Sequence, residues 1–396
     1  MTSLRLISGL LARFSGWKRT VVPMVAAAMV LTACDPGAIS SSPGGRPGAV
    51  TVALLVPAGA SDVQVAAIAD SFTQAAQLAV EDHGGGLVTV RAYPTAGEEN
   101  QSVAVAQQAM ADGADVILGP LYAQNAAAVG RVVAANGKSV LAFSNNTDVA
   151  GGNVFLLGNT FENTAAQLGQ YAARNGKGRV MVINADQPAE RFGMQAIVRG
   201  MAGTGSQVVG TGDFEFSQEG LVAAMPDIAS TAKAVGANSI FLTSDTQGAL
   251  REVTNLLPSH GLGPEQVQYI GLTRWDIPRS ATSLPGLQGG WFALPDPNAV
   301  AAFNAKYATA YGVSPHPLAA LAYDGITAIA KQANTSGRAG LTPQALVSAG
   351  TFTGATGEFS LQIDGTVRRS LAIASIENNA VVILQGAVRS TVDAGS

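Results

Sequence analysis

The stretch DVILGPLYAQNAAAVG, residues 115–130, decides the fold. A short apolar run is stopped by Gly119-Pro120 and followed at once by small and apolar residues at helical spacing, which predicts a strand, a turn and a helix from about Gln124. Helix N-termini carry free N–H groups and suit anions. Yet the position just before the expected helix is Ala123, where a serine would be the better cap and the better ligand.

The same unit recurs on both sides. Strands are expected at 50–56, in GGGLVTVRAYP, DVILGP, SVLAFS and NVFLLGN, with helices near 66–82, 102–111 and from 124. A second series follows. A helix in NTAAQLGQYAARNG precedes strand RVMVIN, a helix from about 189, strand SQVVGTGDFEF, a helix near 220–232, strand NSIFLTS, a helix from about 247, and strands VQYIGL and GGWFALP. Strands that are apolar on both faces, each followed by a helix, make a parallel sheet covered on both sides. The fold class is therefore α/β, with two doubly wound parallel-sheet lobes. Lobe 1 is expected at 49–159 plus 313–345, where a long helix at 314–334 returns, and lobe 2 at 160–312. The tail, 346–396, alternates like antiparallel hairpin strands with turns at Asp364-Gly365 and Asn378-Asn379. No 20–50-residue repeat is present.

The 396 residues are 47% hydrophobic and 13% charged, ample for two cores. Residues 1–33 hold four basic residues and no acid, then an apolar run, VVPMVAAAMVL, too short to span a bilayer but suited to a signal-peptide core. LTAC follows, and Cys34 is the sole cysteine of the chain. LTAC resembles a bacterial lipobox, in which that cysteine takes the lipid and becomes the new N-terminus. An ordinary export signal with a chance cysteine is the competing reading. Residues 34–48 read as a lipidated cysteine and a flexible Gly/Pro/Ser tether. Without 1–33 the chain has 19 basic and 27 acidic residues, with no basic run, which disfavours nucleic-acid binding.

Catalytic signatures fail one by one. His83, His260 and His316 lie in different elements without an H-E-x-x-H, so a zinc site is not expected. There is no G-x-S-x-G elbow. NGKS at 136–139 imitates the end of a P-loop, but Val132 stands where the first glycine belongs and a strand follows rather than precedes. GMAGTG at 200–205 ends a helix before a strand, the reverse of a dinucleotide-binding turn. Asp245 and Asp276 read as caps or turn residues. No cofactor and no enzymatic activity are expected.

The layout resembles the type I periplasmic binding proteins over about 49–385. The matching stretches are LAVEDHGGGLVTVRAYPT, VILGPLYA, VLAFSNNTD and GEFSLQIDGTV, in that order. Within that superfamily ADGADVILGPLYA, SVLAFSNNTDVAGGNVFLLGNT and LTAC are more similar to the lipoprotein activators of penicillin-binding proteins. That resemblance implies a non-enzymatic envelope protein that binds a class A penicillin-binding protein and raises peptidoglycan synthesis. It also implies a lipid anchor facing the periplasm, in the outer membrane rather than the inner, although Asp35 resembles an enterobacterial inner-membrane retention signal. Enterobacterial activators carry a helical-repeat domain before the lobes, where this chain has only the tether. The alternative is a solute receptor of an ABC importer for amino acids or another small ligand.

The resemblance also locates a cleft. Amino-acid receptors of this type place a hydroxyl where Ala123 stands, a second where Asn146 stands, and a tyrosine where Phe192 precedes Gly193. Asp276 is the remaining candidate for an ammonium. Tyr122, Ser144 and Asn145 complete the candidate set, with two roles open: capping and lobe packing, or contact with an unidentified ligand. One anchor of four makes a poor zwitterion pocket, since each lost charge-assisted hydrogen bond costs roughly 1.5–3 kcal/mol.

Overall fold

Buried apolar strands give two sheets with the same parallel order. The computed structural model describes residues 48–387, so the expected signal peptide, Cys34 and nearly all of the tether lie outside the described residues. The first lobe contains β1 (Val50–Val56), α1 (Val63–His83), β2 (Val88–Pro94), α2 (Glu99–Ala111), β3 (Val116–Leu118), α3 (Ala123–Ala134), β4 (Val140–Ala142) and β5 (Val154–Leu156). Its sheet runs β2-β1-β3-β4-β5 with every pair parallel. The three-residue strands β3, β4 and β5 are buried throughout, as a sheet covered on both faces requires.

The second lobe contains α4 (Phe161–Arg174), β6 (Arg179–Ala185), α5 (Pro188–Gly200), β7 (Gln207–Phe214), α6 (Gln218–Ala234), β8 (Ser239–Leu242), α7 (Leu250–Leu256), β9 (Gln268–Gly271) and β10 (Trp291–Pro295). Its parallel strands run β7-β6-β8-β9-β10, repeating the order of the first lobe. In both, strand order reverses beside the first strand, and the crevice at such a switch point is where α/β sheets bind ligands.

The C-terminal quarter departs from the expected boundaries. No element is expected at 297–311, and that span is assigned to lobe 2. The structure has there a helix, α8 (Pro297–Tyr311), which docks on α1 of lobe 1. Phe303 and Tyr307, one helical turn apart, enter the lobe 1 core. The Tyr311 hydroxyl donates to Gln74 O at 2.9 Å, and Lys306 pairs with Asp82. Burial alone would push the Asp82 carboxyl up, but hydrogen bonds from Lys306 and Tyr323, with the Lys306 charge, hold it below its usual range. With just two buried side chains, α8 has too thin an apolar stripe to stand out by pattern.

The long return helix, α9 (Ala319–Ser336), starts later than expected because Pro315 and Pro317 disfavour helical backbone before them. After α10 (Pro343–Ser348), the tail splits between lobes. Strands β11 (Phe352–Gly354), β12 (Gly357–Leu361) and β13 (Val367–Arg369) form a small antiparallel sheet packed into the lobe 1 core. Strands β14 (Leu371–Glu377) and β15 (Ala380–Gln385) add two antiparallel strands beyond β10, so the lobe 2 sheet is mixed, with seven strands. Asn378 and Asn379, at φ 52° and 64°, form the expected tight turn. The chain therefore crosses between lobes three times: after β5, after β10 and after β13.

Trp275, fully buried, is held between Gly271 and Gly290; a Cβ on either glycine would come within 2.3 Å of the indole. Gly271→Ala and Gly290→Ala should each lower stability by about 1–3 kcal/mol by overpacking. The expected reading is a lower urea midpoint at unchanged slope; wild-type midpoints would show that the indole can move aside.

Candidate functional site

Strand ends set the site. At the end of β3 the chain turns through Gly119, whose φ is +92° and where a Cβ would lie 2.4 Å from Leu55 O. Glycine is required there, because only it combines that backbone with so close an approach to β1. The turn delivers Leu121 and Tyr122 to the crevice and starts α3 at Ala123. Tyr122 occupies the cap position without a side-chain hydrogen bond, leaving the first α3 amides without a side-chain acceptor at that cap. The end of β4 delivers Phe143, which stacks on Phe72 at 4.1 Å, and then Ser144, Asn145 and Asn146.

These residues line one cavity of about 750 Å³ together with parts of all three crossings: Gly158 and Asn159, Pro295, and Arg369 and Leu371. Ile68, Leu318 and Leu321 add an apolar wall, and Thr356 a hydroxyl. The structure thus brings together Tyr122, Ala123, Ser144, Asn145 and Asn146. It does not bring in Phe192 or Asp276, neither of which lines this cavity. Phe192 packs on Phe161, ring centroids 6.2 Å apart, with the Arg199 guanidinium 6.0 Å from its ring. Asp276 accepts a bidentate fork from Arg274, Nε at 2.9 Å and Nη2 at 2.5 Å.

The polar groups of the lobe 1 rim partly serve their own loop. Ser144 Oγ accepts from Asn146 N at 3.1 Å, and Asn146 Oδ1 accepts from Asp148 N at 2.9 Å. Carboxylates of lobe 2 are likewise engaged. Glu190 accepts from Ala185 N at 2.6 Å, Thr243 Oγ1 at 2.8 Å and Ser244 Oγ at 2.9 Å. Asp245 accepts from the amides of Gln247 and Gly248.

The decisive group was not singled out from the sequence. Arg369 is 4% exposed, and its partner Asp324, on α9, is 0% exposed. Arg369 Nε donates to Leu157 O at 2.8 Å in the first crossing. Its Nη1 donates to Asp324 Oδ2 at 2.7 Å and to Thr356 Oγ1 at 2.5 Å. Asp324 also accepts from Ala355 N and Thr356 Oγ1, at 2.6 and 2.7 Å. Arg369 O accepts from Asn163 Nδ2 at 3.0 Å, and the same amide donates to Asn159 Oδ1 at 2.7 Å. Arg369 Nη2, by contrast, is buried with no partner among the described residues. Such an orphaned donor costs roughly 1–3 kcal/mol. Among the described residues, Arg369 is also the one charged residue lining the cavity. A sequence signal existed: in β13 Val367 and Arg369 share the buried face while Arg368 points out.

Arg369→Met should destabilise the protein by about 3–5 kcal/mol, because Asp324 would be left buried and unpaired. Adding Asp324→Asn should recover part of that loss in urea unfolding. An Arg369→Met protein of wild-type stability would mean that water reaches Asp324.

The comparisons accord with this geometry. A family model described as periplasmic binding protein matches residues 49–380. Among solved structures, a putative branched-chain amino acid ABC transporter protein from Rhodospirillum rubrum is 17% identical at a TM-score of 0.71, over 85% of this chain and 100% of that one. A substrate-binding protein from Desulfitobacterium hafniense in complex with Leu is 19% identical at 0.59, over 85% and 99%. A solute-binding protein from Rhodopseudomonas palustris in complex with 3,4-dihydroxybenzoic acid is 17% identical at 0.54, over 87% and 99%. At these identities the likeness is one of fold. The comparison with curated proteins gives no match. With two equally ordered α/β lobes, three crossings, and a family match across nearly all described residues, the chain belongs to the periplasmic binding protein family.

Proposed function

We propose that this protein is a periplasmic solute receptor of an ABC importer, capturing a small ligand in the crevice between its lobes. One observation carries the reading: the cavity is lined at once by the strand ends of lobe 1 and by all three crossings. A ligand held there touches the segments about which the lobes would swing. Its binding energy can therefore favour a closed over an open arrangement, which only differential contact with two states can do. The cavity volume lies within the range of small-molecule sites, and its wall is largely apolar with a few polar groups.

The ligand is not expected to be leucine, isoleucine or valine. Ala123 supplies no hydroxyl, Asp276 is engaged by Arg274, and Glu190 is engaged by the Ala185 amide and the hydroxyls of Thr243 and Ser244. The competing function, activation of a class A penicillin-binding protein, draws on the same missing anchors and on the lipobox resemblance. A receptor for a different solute accounts for the missing anchors equally well, and the likeness to solute receptors over the whole lobe pair favours it.

A ligand at 100 times its Kd stabilises the fold by about 2.7 kcal/mol. The matching solute should raise Tm by a few degrees and reduce the radius of gyration in solution scattering as the lobes close. Branched-chain amino acids should do neither. A clear shift with leucine would restore an amino-acid receptor; stabilisation by no solute, with acceleration of glycan synthesis instead, would favour the activator.

The lipobox reading places this receptor on a membrane through Cys34. Wild-type protein should incorporate a fatty-acid analogue in cells and Cys34→Ser should not, because the thiol carries the acyl anchor. Equal labelling would remove the anchor.

A further inference from the structure

The wall that Pro317, Leu318 and Leu321 give the crevice starts from a histidine cap. Helix α9 is led in by a tight turn, in which Ala319 N donates to His316 O at 2.8 Å. Leu318 N donates to His316 Nδ1 at 3.2 Å, so the imidazole fills the role of an N-cap acceptor. The His316 amide in turn donates to Ser71 Oγ of α1 at 3.2 Å. Helices α1, α4, α6 and α8 use the side-chain oxygens of Asp62, Thr160, Ser217 and Asp296 for the same task, and these accept throughout the neutral range. A ring nitrogen does not. Nδ1 accepts only while it carries no proton. Protonated, it is a donor facing the Leu318 N–H, with a positive charge at the positive end of α9.

We propose that His316 is a proton-sensitive cap: neutral, it fixes the Pro317-Leu318 wall of the crevice, and protonated, it releases that wall. The cap stands on lobe 1 geometry alone; its bearing on solute capture rests on the receptor reading. Its surroundings favour the neutral ring. Burial pushes the imidazole below its ordinary value, and no charged neighbour contributes. Beside it α1 presents Ser71, and α8 sends Tyr307 to Ser71 and Gln74 and Tyr311 to Gln74 O, groups that carry no charge near neutral pH. The charged groups of these helices are turned elsewhere. Asp70 is exposed, and Glu81 acts on Tyr311, about 15 Å along α1 from Ser71. Asp82 is held by Lys306 and Tyr323, and His83 bonds the Tyr323 hydroxyl. Asp324 pairs with Arg369, and Lys331 with the carbonyls of Ala349 and Thr351. Because the folded-state value is depressed, the stabilisation is complete above the unfolded-state value of about 6.5 and is lost as pH falls through the folded-state value.

The test uses the whole chain and needs no ligand. In NMR spectra the His316 ring, assigned through the backbone, should be the Nε2–H tautomer and titrate below the ordinary imidazole value of about 6.5. His316→Asn keeps a cap acceptor that no proton blocks near neutral pH. Between about pH 7.5 and pH 5 the wild-type Tm should therefore fall by about 1–2 °C more than that of His316→Asn; His83 and His260 are present in both proteins and cancel. Hydrogen exchange at Leu318 and the first amides of α9, corrected for the intrinsic effect of pH, should speed up about fivefold on acidification in the wild type and not in the variant. A midpoint at or above the ordinary value, an Nδ1–H ring in the neutral protein, or a Tm difference that does not change with pH overturns the proposal. Exchange that speeds up equally in both proteins overturns the release of the wall. If His316→Asn does not fold, the wild-type tautomer and midpoint decide. Failure of the cap leaves the receptor standing, since no solute enters these measurements, and failure to find a solute leaves the cap standing.

Discussion

The ion pair between Arg369 and Asp324 is the constraint on which the junction of the lobes depends. Asp324 belongs to the helix that returns to lobe 1, and Arg369 ends the small sheet just before the chain crosses for the last time. Their bonds reach the first crossing at Leu157 and the turn at Ala355 and Thr356. Replacing such a pair by well-packed apolar side chains is often neutral or stabilising, so its presence is weak evidence of added stability. Its geometry says more. A planar guanidinium with fixed donor directions sets the relative positions of three segments distant in sequence, which an apolar contact would leave free to slide.

That geometry gives the crevice its electrical character. Carboxylates of lobe 2 are drawn into caps and forks: Glu190 on Ala185, Thr243 and Ser244, Asp245 on its own turn, Asp276 on Arg274. Among the described residues, what lines the cavity is an apolar wall, several neutral amides and hydroxyls, and one incompletely engaged arginine. Ser144, Asn146, Asn159, Thr356 and Arg369 are each held by hydrogen bonds to neighbouring segments. A site of this kind selects by the few donors it leaves open, because a ligand that cannot meet them leaves them unpaired in a dry place.

The C-terminal segments show how the two lobes are held as one body. Helix α8 leaves the lobe 2 sheet and packs on α1, while β14 and β15 leave the lobe 1 side and extend the lobe 2 sheet. Each lobe is therefore finished by chain that has passed through the other. The small sheet of β11, β12 and β13 sits between these exchanges, and Gly365 O accepts from Leu156 N at 2.8 Å, tying its hairpin to the edge strand β5.

Much of this was legible in the chain. Strand β1 could be read residue for residue, because seven apolar and β-branched residues between turn signals admit little else. Asn378-Asn379 declared its turn through residues that tolerate positive φ. Tyr122, Ala123, Ser144, Asn145 and Asn146, expected at a cleft from the resemblance to the binding proteins, line one cavity. Local periodicity determined the strand and the turn, and it acts over a few residues. The rest was decided at long range. Whether Asp276 faces a ligand depends on Arg274 folding back on it, and whether Phe192 does so depends on Phe161. The lobe that receives α8 depends on Tyr307 and Tyr311 finding Gln74, more than two hundred residues away. Arg369 and Asp324 are 45 residues apart, and nothing in the sequence ties one to the other. Only the packing that removes both from water makes them a pair, and only that packing leaves Nη2 of the arginine without a hydrogen-bond partner among the described residues.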